Sequence, residues 1–96
     1  MLHTQPLSFT AHARARCQQR AIRPDIVEQI LDYGRPTRFR GADSYALDKE
    51  GRRRLRRDLG DRNFRAIERQ LDAYVVVADN GLIITAAWST QRLWRH

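Results

Sequence analysis

The chain has one cysteine and one lysine and lacks a long apolar run, and each shortage excludes a class of protein. Cys17 alone cannot form an internal disulfide or supply half of a zinc site, so disulfide scaffolds and structural zinc modules are excluded. No stretch approaches the roughly 18 apolar residues that a membrane span needs. The first residues also lack the basic and apolar regions of a signal peptide. We therefore expect a soluble cytoplasmic protein that makes no membrane contact.

The sequence motifs of nucleotide, hydrolase and metal sites are also missing. No two His or Cys residues have the spacing of metal ligands, and the acidic residues are spread singly along the chain. We expect no cofactor and no metal, so any phosphate chemistry would be metal-free. A chain of 96 residues with 42% hydrophobic residues is sufficient for one domain over 1–96, with a core over about 9–88.

Basic residues are abundant and concentrated in one part of the chain. The net charge is +7, and the 23 residues from Arg35 to Arg57 carry +6 of it. A localised basic patch is typical of a protein that binds a polyanion. A GC-rich genome would explain the excess of Arg over Lys, but not the net excess of positive charge. The candidate nucleic-acid-binding residues are Arg38, Arg40, Arg52, Arg53, Arg54, Arg56 and Arg57. The alternative is a solvated face whose charge Asp48, Glu50 and Asp58 partly offset.

Hydrophobic spacing predicts two helices in the first third of the chain. Ser8 or Thr10 is suited to cap a helix that runs to about Arg20. Pro24 is suited to the first position of a second helix, and Gly34 to its C-terminal stop.

Further along, a strand is expected at 44–48, at an edge of the sheet. Two short helices, or one kinked helix, should follow over 52–71. A hairpin of 73–78 and 82–88 should close through a two-residue type I′ turn at Asn80–Gly81. The predicted class is α+β, with the two N-terminal helices packed on a small antiparallel sheet that ends in a β-hairpin.

Counting outward from the predicted turn pairs Ala78 with Ile83 and Val76 with Thr85. Alternation then directs the more apolar face, which includes Ile84, toward the helices. Thr85 lies on the opposite face.

One line of polar residues on the first predicted helix could act on a phosphodiester. His12, Arg16 and Arg20 are one helical turn apart. Arginine can form bidentate hydrogen bonds with phosphate oxygens, and histidine can accept and donate protons near neutral pH. The competing interpretation is that the two arginines lie along the edge of the core or pair with acidic residues of the next helix.

Three segments together resemble the bacterial domain-of-unknown-function family 4258. They are His12–Ile22 (HARARCQQRAI), Pro24–Gly34 (PDIVEQILDYG), and the hairpin with VVV at 75–77 and NGLIIT at 80–85. That family is similar in layout to BrnT and, more distantly, to RelE/ParE-like toxins. Two departures are an Arg-rich stretch at 62–70 and small residues at 86–87.

The resemblance implies a RelE-like fold and assigns His12, Arg16, Arg20 and Thr85 to the family's motif positions. RelE-type relatives cut RNA without a metal, whereas ParE-like members act on a protein target and need no catalytic residues. An acidic antitoxin is the partner that a toxin of this kind would have.

Three hypotheses remain open from the sequence. In the first, the protein is a metal-free endoribonuclease toxin. His12 moves protons, Arg16 and Arg20 stabilise the transition state, and Thr85 or Tyr45 orients the phosphate. In the second, it is a non-catalytic module that binds nucleic acid or an acidic protein. In the third, it is a structural domain that dimerises through an exposed hairpin edge.

Overall fold

The computed structural model describes residues 7–89, and helices and strands follow one another there in an α+β arrangement. The helices are α1 (Ala11–Gln19), α2 (Pro24–Tyr33), α3 (Lys49–Leu59) and α4 (Asp61–Ile67), the last continued by a 3-10 helix at Glu68–Leu71. The strands are β1 (Arg35–Phe39), β2 (Ala42–Ala46), β3 (Ala73–Ala78) and β4 (Ile83–Trp88). The predicted fold class is confirmed. None of the described helices is long and apolar enough to cross a membrane.

The sheet contains one strand that the sequence did not predict. The spatial order is β1-β2-β3-β4, with every neighbouring pair antiparallel. All five residues of β1 are exposed. The strand therefore lacks the alternation of apolar and polar residues from which a half-buried strand is predicted. Because β1 lies outside β2, the expectation that the strand near 44–48 forms an edge is wrong. Arg40 and Gly41, both at positive φ (52° and 79°), make the tight turn between these strands.

The β3–β4 hairpin closes through a longer turn than predicted. The Gly81 N–H donates to the Ala78 carbonyl at 2.9 Å, and the Ala78 N–H donates to the Leu82 carbonyl at 2.9 Å. The loop is therefore the three residues 79–81, with Gly81 at a φ of 88° that favours glycine. The predicted two-residue type I′ turn is wrong.

A second irregularity in the same hairpin corrects the register. Val77 pairs with Ile83, whereas Val76 pairs with Thr85 as predicted, so the ladder shifts by one residue between Val76 and Val77. The predicted pairing of Ala78 with Ile83 is wrong. Ile83 instead joins the buried face, where it is 1% exposed and takes the place expected for Ile84.

The start of α1 is fixed to the sheet at its β4 edge. The Thr10 side chain caps the helix by accepting from the Ala13 N–H at 3.0 Å, as predicted. Just before it, the Ile83 N–H donates to the Ser8 carbonyl at 2.8 Å, and the Thr10 N–H donates to the Ile83 carbonyl at 3.0 Å. The outer edge of β4 is therefore partly covered, which weakens the hypothesis of dimerisation through an exposed hairpin edge.

One hydrophobic cluster joins α1, α2, α3 and the inner face of the sheet. Ile26, Val27 and Ile30 of α2 are buried against this face, with Val75 at its centre. Gly34 ends α2 as predicted, although its φ of −79° is one that any residue adopts. Glycine is needed there because a Cβ would collide with the Ile30 carbonyl oxygen. This close approach lets the chain pass directly from α2 into β1.

Candidate nucleic-acid interface

His12 and Arg16 form a pair on the exposed side of α1. The Arg16 Nε donates to His12 Nε2 at 3.3 Å, and its NH1 contacts Gln19 Oε1 at 3.4 Å. In this arrangement His12 Nε2 accepts from the guanidinium group. The pair places a proton acceptor beside a guanidinium group, as the sequence predicted for these two residues.

Arg20 is the C-cap of α1, and the structure directs it away from this pair. Its NH1 donates to the Ala86 carbonyl at 2.9 Å, and its own carbonyl accepts from Trp88 Nε1 at 2.8 Å. Both bonds join the end of α1 to β4. The visible role of Arg20 is thus to fix the helix to the sheet.

Thr85 and Tyr45 lie on opposite faces of the sheet. Thr85 pairs with Val76, on the face opposite the buried Val75 and Ala86. Tyr45 pairs with Val75 and packs against the helix side of the core. Within residues 7–89, no hydrogen bond joins Thr85 to the predicted residues of α1. His12 and Arg16 are therefore in contact, whereas the assignment of Thr85 to a common phosphate site with them stays a prediction.

The exposed arginines of α3 each have a carboxylate partner. We call Arg53, Arg56 and Arg57 the α3 cations. Their partners are Glu50 for Arg53, Asp61 for Arg56 at 2.7 Å, and Asp58 for Arg57 at 3.4 Å. The sequence left open the alternative that acidic residues partly offset the positive charge of this segment. Such pairing is present along α3. It involves Glu50 and Asp58 as predicted and also Asp61, whereas Asp48 contacts Arg35 at 3.3 Å and caps α3 through the Gly51 N–H.

These contacts lower the pKa of each acidic partner. The Arg56 guanidinium lowers the pKa of Asp61, and Arg53 lowers the pKa of Glu50. The Tyr33 hydroxyl donates to Asp58 Oδ2 at 2.6 Å, which lowers the pKa of Asp58 and raises the pKa of Tyr33. All these carboxylates are thus held in their charged form.

Arg52 departs from the prediction for the basic segment. It is only 7% exposed, and its NH2 donates to Asp72 Oδ1 at 2.6 Å. Helical spacing places it on the inward side of α3 with Gly51 and Leu55, which are also buried. The prediction that Arg52 contributes to an exposed nucleic-acid-binding surface is wrong. It links α3 to the residue that precedes β3.

Three further arginines of the predicted surface differ from one another. Arg38 makes a bidentate contact with Asp79, at 2.6 and 3.0 Å. The Arg54 guanidinium lies 5.8 Å from the Tyr33 ring centre and donates to the Tyr33 carbonyl at 3.3 Å. Arg40 is exposed and lies 5.0 Å from the ring centre of Phe39, which is itself 65% exposed. Of these three, Arg40 is the one that makes no ion pair or hydrogen bond through its guanidinium group among residues 7–89.

A second row of cations lies in the Arg-rich stretch at 62–70, which was not among the candidate nucleic-acid-binding residues. Arg62, Arg65 and Arg69, which we call the α4 stripe, are exposed on α4 and the 3-10 helix that continues it. Within residues 7–89, none of them forms an ion pair with Asp or Glu. Asp61, one turn before Arg65, bonds to Arg56 instead.

The spacing of the α4 stripe could have revealed it. The three arginines recur at i, i+3 and i+7, which places them on one side of a helix. The interleaved Phe64 and Leu71 are buried on the other side. The segment 58–70 has zero net charge, and this balance concealed the stripe.

Comparison with protein-family models, with curated proteins and with solved structures finds no match to this chain. Within residues 7–89, no group of three His, Cys, Asp or Glu side chains is placed to hold a metal ion.

Proposed function

We propose that this protein binds RNA through its exposed arginines, with the α4 stripe as the main contact to the phosphate backbone. The observation that carries this proposal is that Arg62, Arg65 and Arg69 are exposed and have no ion-pair partner among the described residues. A guanidinium group without a carboxylate can bind a phosphate without first breaking an internal pair. Neutralisation of phosphates then releases counterions, which drives association.

The α3 cations support the same surface with a smaller contribution. Exposed ion pairs are worth only about 0–1 kcal/mol, so a phosphate can replace Glu50 or Asp61 at little cost. The exchange releases fewer counterions, however, because the arginine is already neutralised. The preference for RNA over DNA is taken from the resemblance to RelE-like toxins, and an acidic antitoxin would compete for the same cations.

Fluorescence anisotropy with a labelled, single-stranded RNA of mixed sequence tests this function across a range of salt concentrations. We expect binding that weakens steeply with salt and that the triple variant Arg62→Gln, Arg65→Gln and Arg69→Gln largely loses. The matched control is Arg14→Gln, Arg23→Gln and Arg35→Gln, which removes the same charge from other exposed positions.

Equal loss of binding in both triple variants would show that net charge alone attracts the RNA, and would contradict the proposed surface. Binding of polyglutamate in preference to RNA and to duplex DNA would instead support the module for acidic proteins.

The pair of His12 and Arg16 favours a second candidate function, metal-free cleavage of RNA. His12 Nε2 could accept the proton of a 2′-hydroxyl group while Arg16 turns from the imidazole to the neighbouring phosphate. Attack of the 2′-oxygen on phosphorus would then form a 2′,3′-cyclic phosphate and break the bond to the 5′-oxygen, which takes a proton from solvent while His12 returns its proton to solvent.

Incubation of an RNA pool with the purified protein in EDTA tests this candidate. The catalytic hypothesis predicts cleavage that His12→Ala and Arg16→Ala each reduce about a hundredfold. Arg14→Ala, on another side of α1, is the matched control. RNA binding without cleavage at every protein concentration would contradict the catalytic hypothesis and support RNA binding as the only function of the two.

A further inference from the structure

A cavity of about 620 Å³ opens between α1, the loop that follows it, the start of α2 and the 3-10 helix. Phe9, Cys17, Ile22 and Pro24 supply apolar walls, and Arg14 and Arg23 bring guanidinium groups to the same cavity. Ligand sites for small molecules usually enclose about 300–1,000 Å³. The cavity therefore has the size of such a site, and its walls join apolar surface to positive charge.

The local sequence explains why an opening forms here. α1 ends at Gln19, and Ala21 adopts a φ of 54° that reverses the chain direction. The Ile22 N–H then donates to the Cys17 carbonyl at 2.9 Å before Pro24 begins α2. This short connection holds the two helix ends apart and leaves the Cys17 side of α1 facing the gap.

The cavity is separate from the surface proposed to bind RNA. Its lining from α1 consists of Arg14, Cys17 and Gln18, whereas His12 and Arg16 lie on another side of the helix and do not line it. The α4 stripe does not line it either.

The charges around the cavity favour an anionic group at its mouth. Arg14 lies 5.8 Å from the Phe9 ring centre and has no carboxylate partner among residues 7–89. Arg23 contacts Asp25 at 3.1 Å, in a pair whose two side chains are more than half exposed. A ligand carboxylate could replace Asp25 at this arginine at little cost. Arg20 adds a further positive charge near Cys17 and partly opposes the rise in the Cys17 pKa that burial causes.

We propose that this cavity binds a small amphipathic organic acid. Its apolar chain or ring would lie against Phe9, Cys17 and Ile22, and its carboxylate would contact Arg14 and Arg23. The lining comes from only a few turns of chain, which suits a small molecule better than a partner helix. This inference does not depend on RNA binding.

Cys17 provides a direct test because it is the single cysteine of the chain and lines the cavity. The rate of its alkylation by iodoacetamide is measured on the intact protein by mass spectrometry, with three probes of equal chain length below their micelle concentrations. Decanoate should protect Cys17 at a concentration about tenfold lower than decanol does. Decyltrimethylammonium should give no protection over the same range.

The double variant Arg14→Gln and Arg23→Gln should remove the preference for decanoate over decanol, whereas Arg35→Gln and Arg40→Gln should keep it. Amide chemical shifts in a ¹H–¹⁵N spectrum give a second readout that does not require a reactive thiol. Decanoate should shift the amides of Ala21 and Ile22. Equal protection by all three probes, or no shift at these two amides, would overturn the proposal.

Discussion

The α3 cations and the α4 stripe carry the same type of residue on consecutive helices, yet the fold leaves them in different electrostatic states. Every α3 cation contacts a carboxylate, whereas no member of the α4 stripe does so within the described residues. Asp58, near the end of α3, bonds to Arg57, and Asp61, the first residue of α4, bonds to Arg56. Pairing within α3 and across the Gly60 junction therefore leaves the accessible positive charge on α4 rather than on α3.

The difference shows why net charge along a sequence can mislead. The segment 35–57 holds +6 and the segment 58–70 holds zero, so the sequence points to the first as the polyanion-binding surface. In the folded chain, acids of the second segment neutralise arginines of the first. Accessible charge depends on which side chains meet in three dimensions, and a running sum cannot show that.

The largest expected effect separates the buried arginine of α3 from the exposed ones. Arg52→Ala should lower the free energy of unfolding by about 2–3 kcal/mol, because it removes a buried guanidinium group that bonds to the partly buried Asp72 carboxylate. Arg62→Ala should change it by less than about 0.5 kcal/mol. Urea unfolding followed by circular dichroism measures both. A similar value for the two variants would mean that Arg52 has no structural role.

Removal of an acidic partner should leave an α3 cation unpaired, as the arginines of the α4 stripe are within residues 7–89. Asp61→Asn frees Arg56 and removes a negative charge beside Arg65, so RNA affinity at moderate salt should rise about fivefold. Asp25→Asn, which adds the same charge on α2, is the control. Anisotropy titrations measure the two variants side by side. Because Asp25→Asn also releases Arg23 from its ion pair, equal affinities for the two variants would show that the position of the freed arginine does not matter, which contradicts the proposed surface.

A smaller effect concerns the hydrogen bond that holds Asp58. Tyr33→Phe should raise the pKa of Asp58 back toward its ordinary value, because the hydroxyl donor that stabilises the carboxylate is lost. The folded-state pKa of Asp58 lies below its unfolded value. Its contribution to stability is therefore complete above the unfolded pKa and is lost as pH falls through the folded one. A titration of carboxyl ¹³C shifts measures the change, and an unaltered Asp58 pKa would contradict the contact.

Local chemistry made some parts of the fold predictable. The Thr10 cap, the α2 helix that begins at Pro24, and the pairing of Val76 with Thr85 all follow from neighbouring residues or from simple alternation. β1 could not be predicted, because Arg35–Phe39 is exposed throughout and is ordered by pairing with β2. The predicted type of the hairpin turn was also wrong, since the dipeptide Asn80–Gly81 is compatible with both a two-residue and a three-residue loop.

The contacts of the candidate site also fall into two groups, those that local spacing predicts and those that only the folded chain creates. The contact between His12 and Arg16 follows from their i, i+4 spacing on one helix. The contact of Arg52 with Asp72 spans 20 residues, and the contact of Arg20 with Ala86 spans 66. Such distant pairs depend on the packed fold, so the sequence alone could not separate structural arginines from accessible ones.

The measurement that tests the central claim most directly compares the salt dependence of RNA binding for two triple variants. One carries Arg62→Gln, Arg65→Gln and Arg69→Gln, and the other carries Arg53→Gln, Arg56→Gln and Arg57→Gln. Each phosphate contact on a single strand contributes about 0.7 to the slope of log K against log salt, so loss of the α4 stripe should reduce the slope by about 2. Loss of the α3 cations should reduce it by less than half of that. An equal or larger reduction for the α3 variant would contradict the claim that internal pairing shifts the accessible charge to α4.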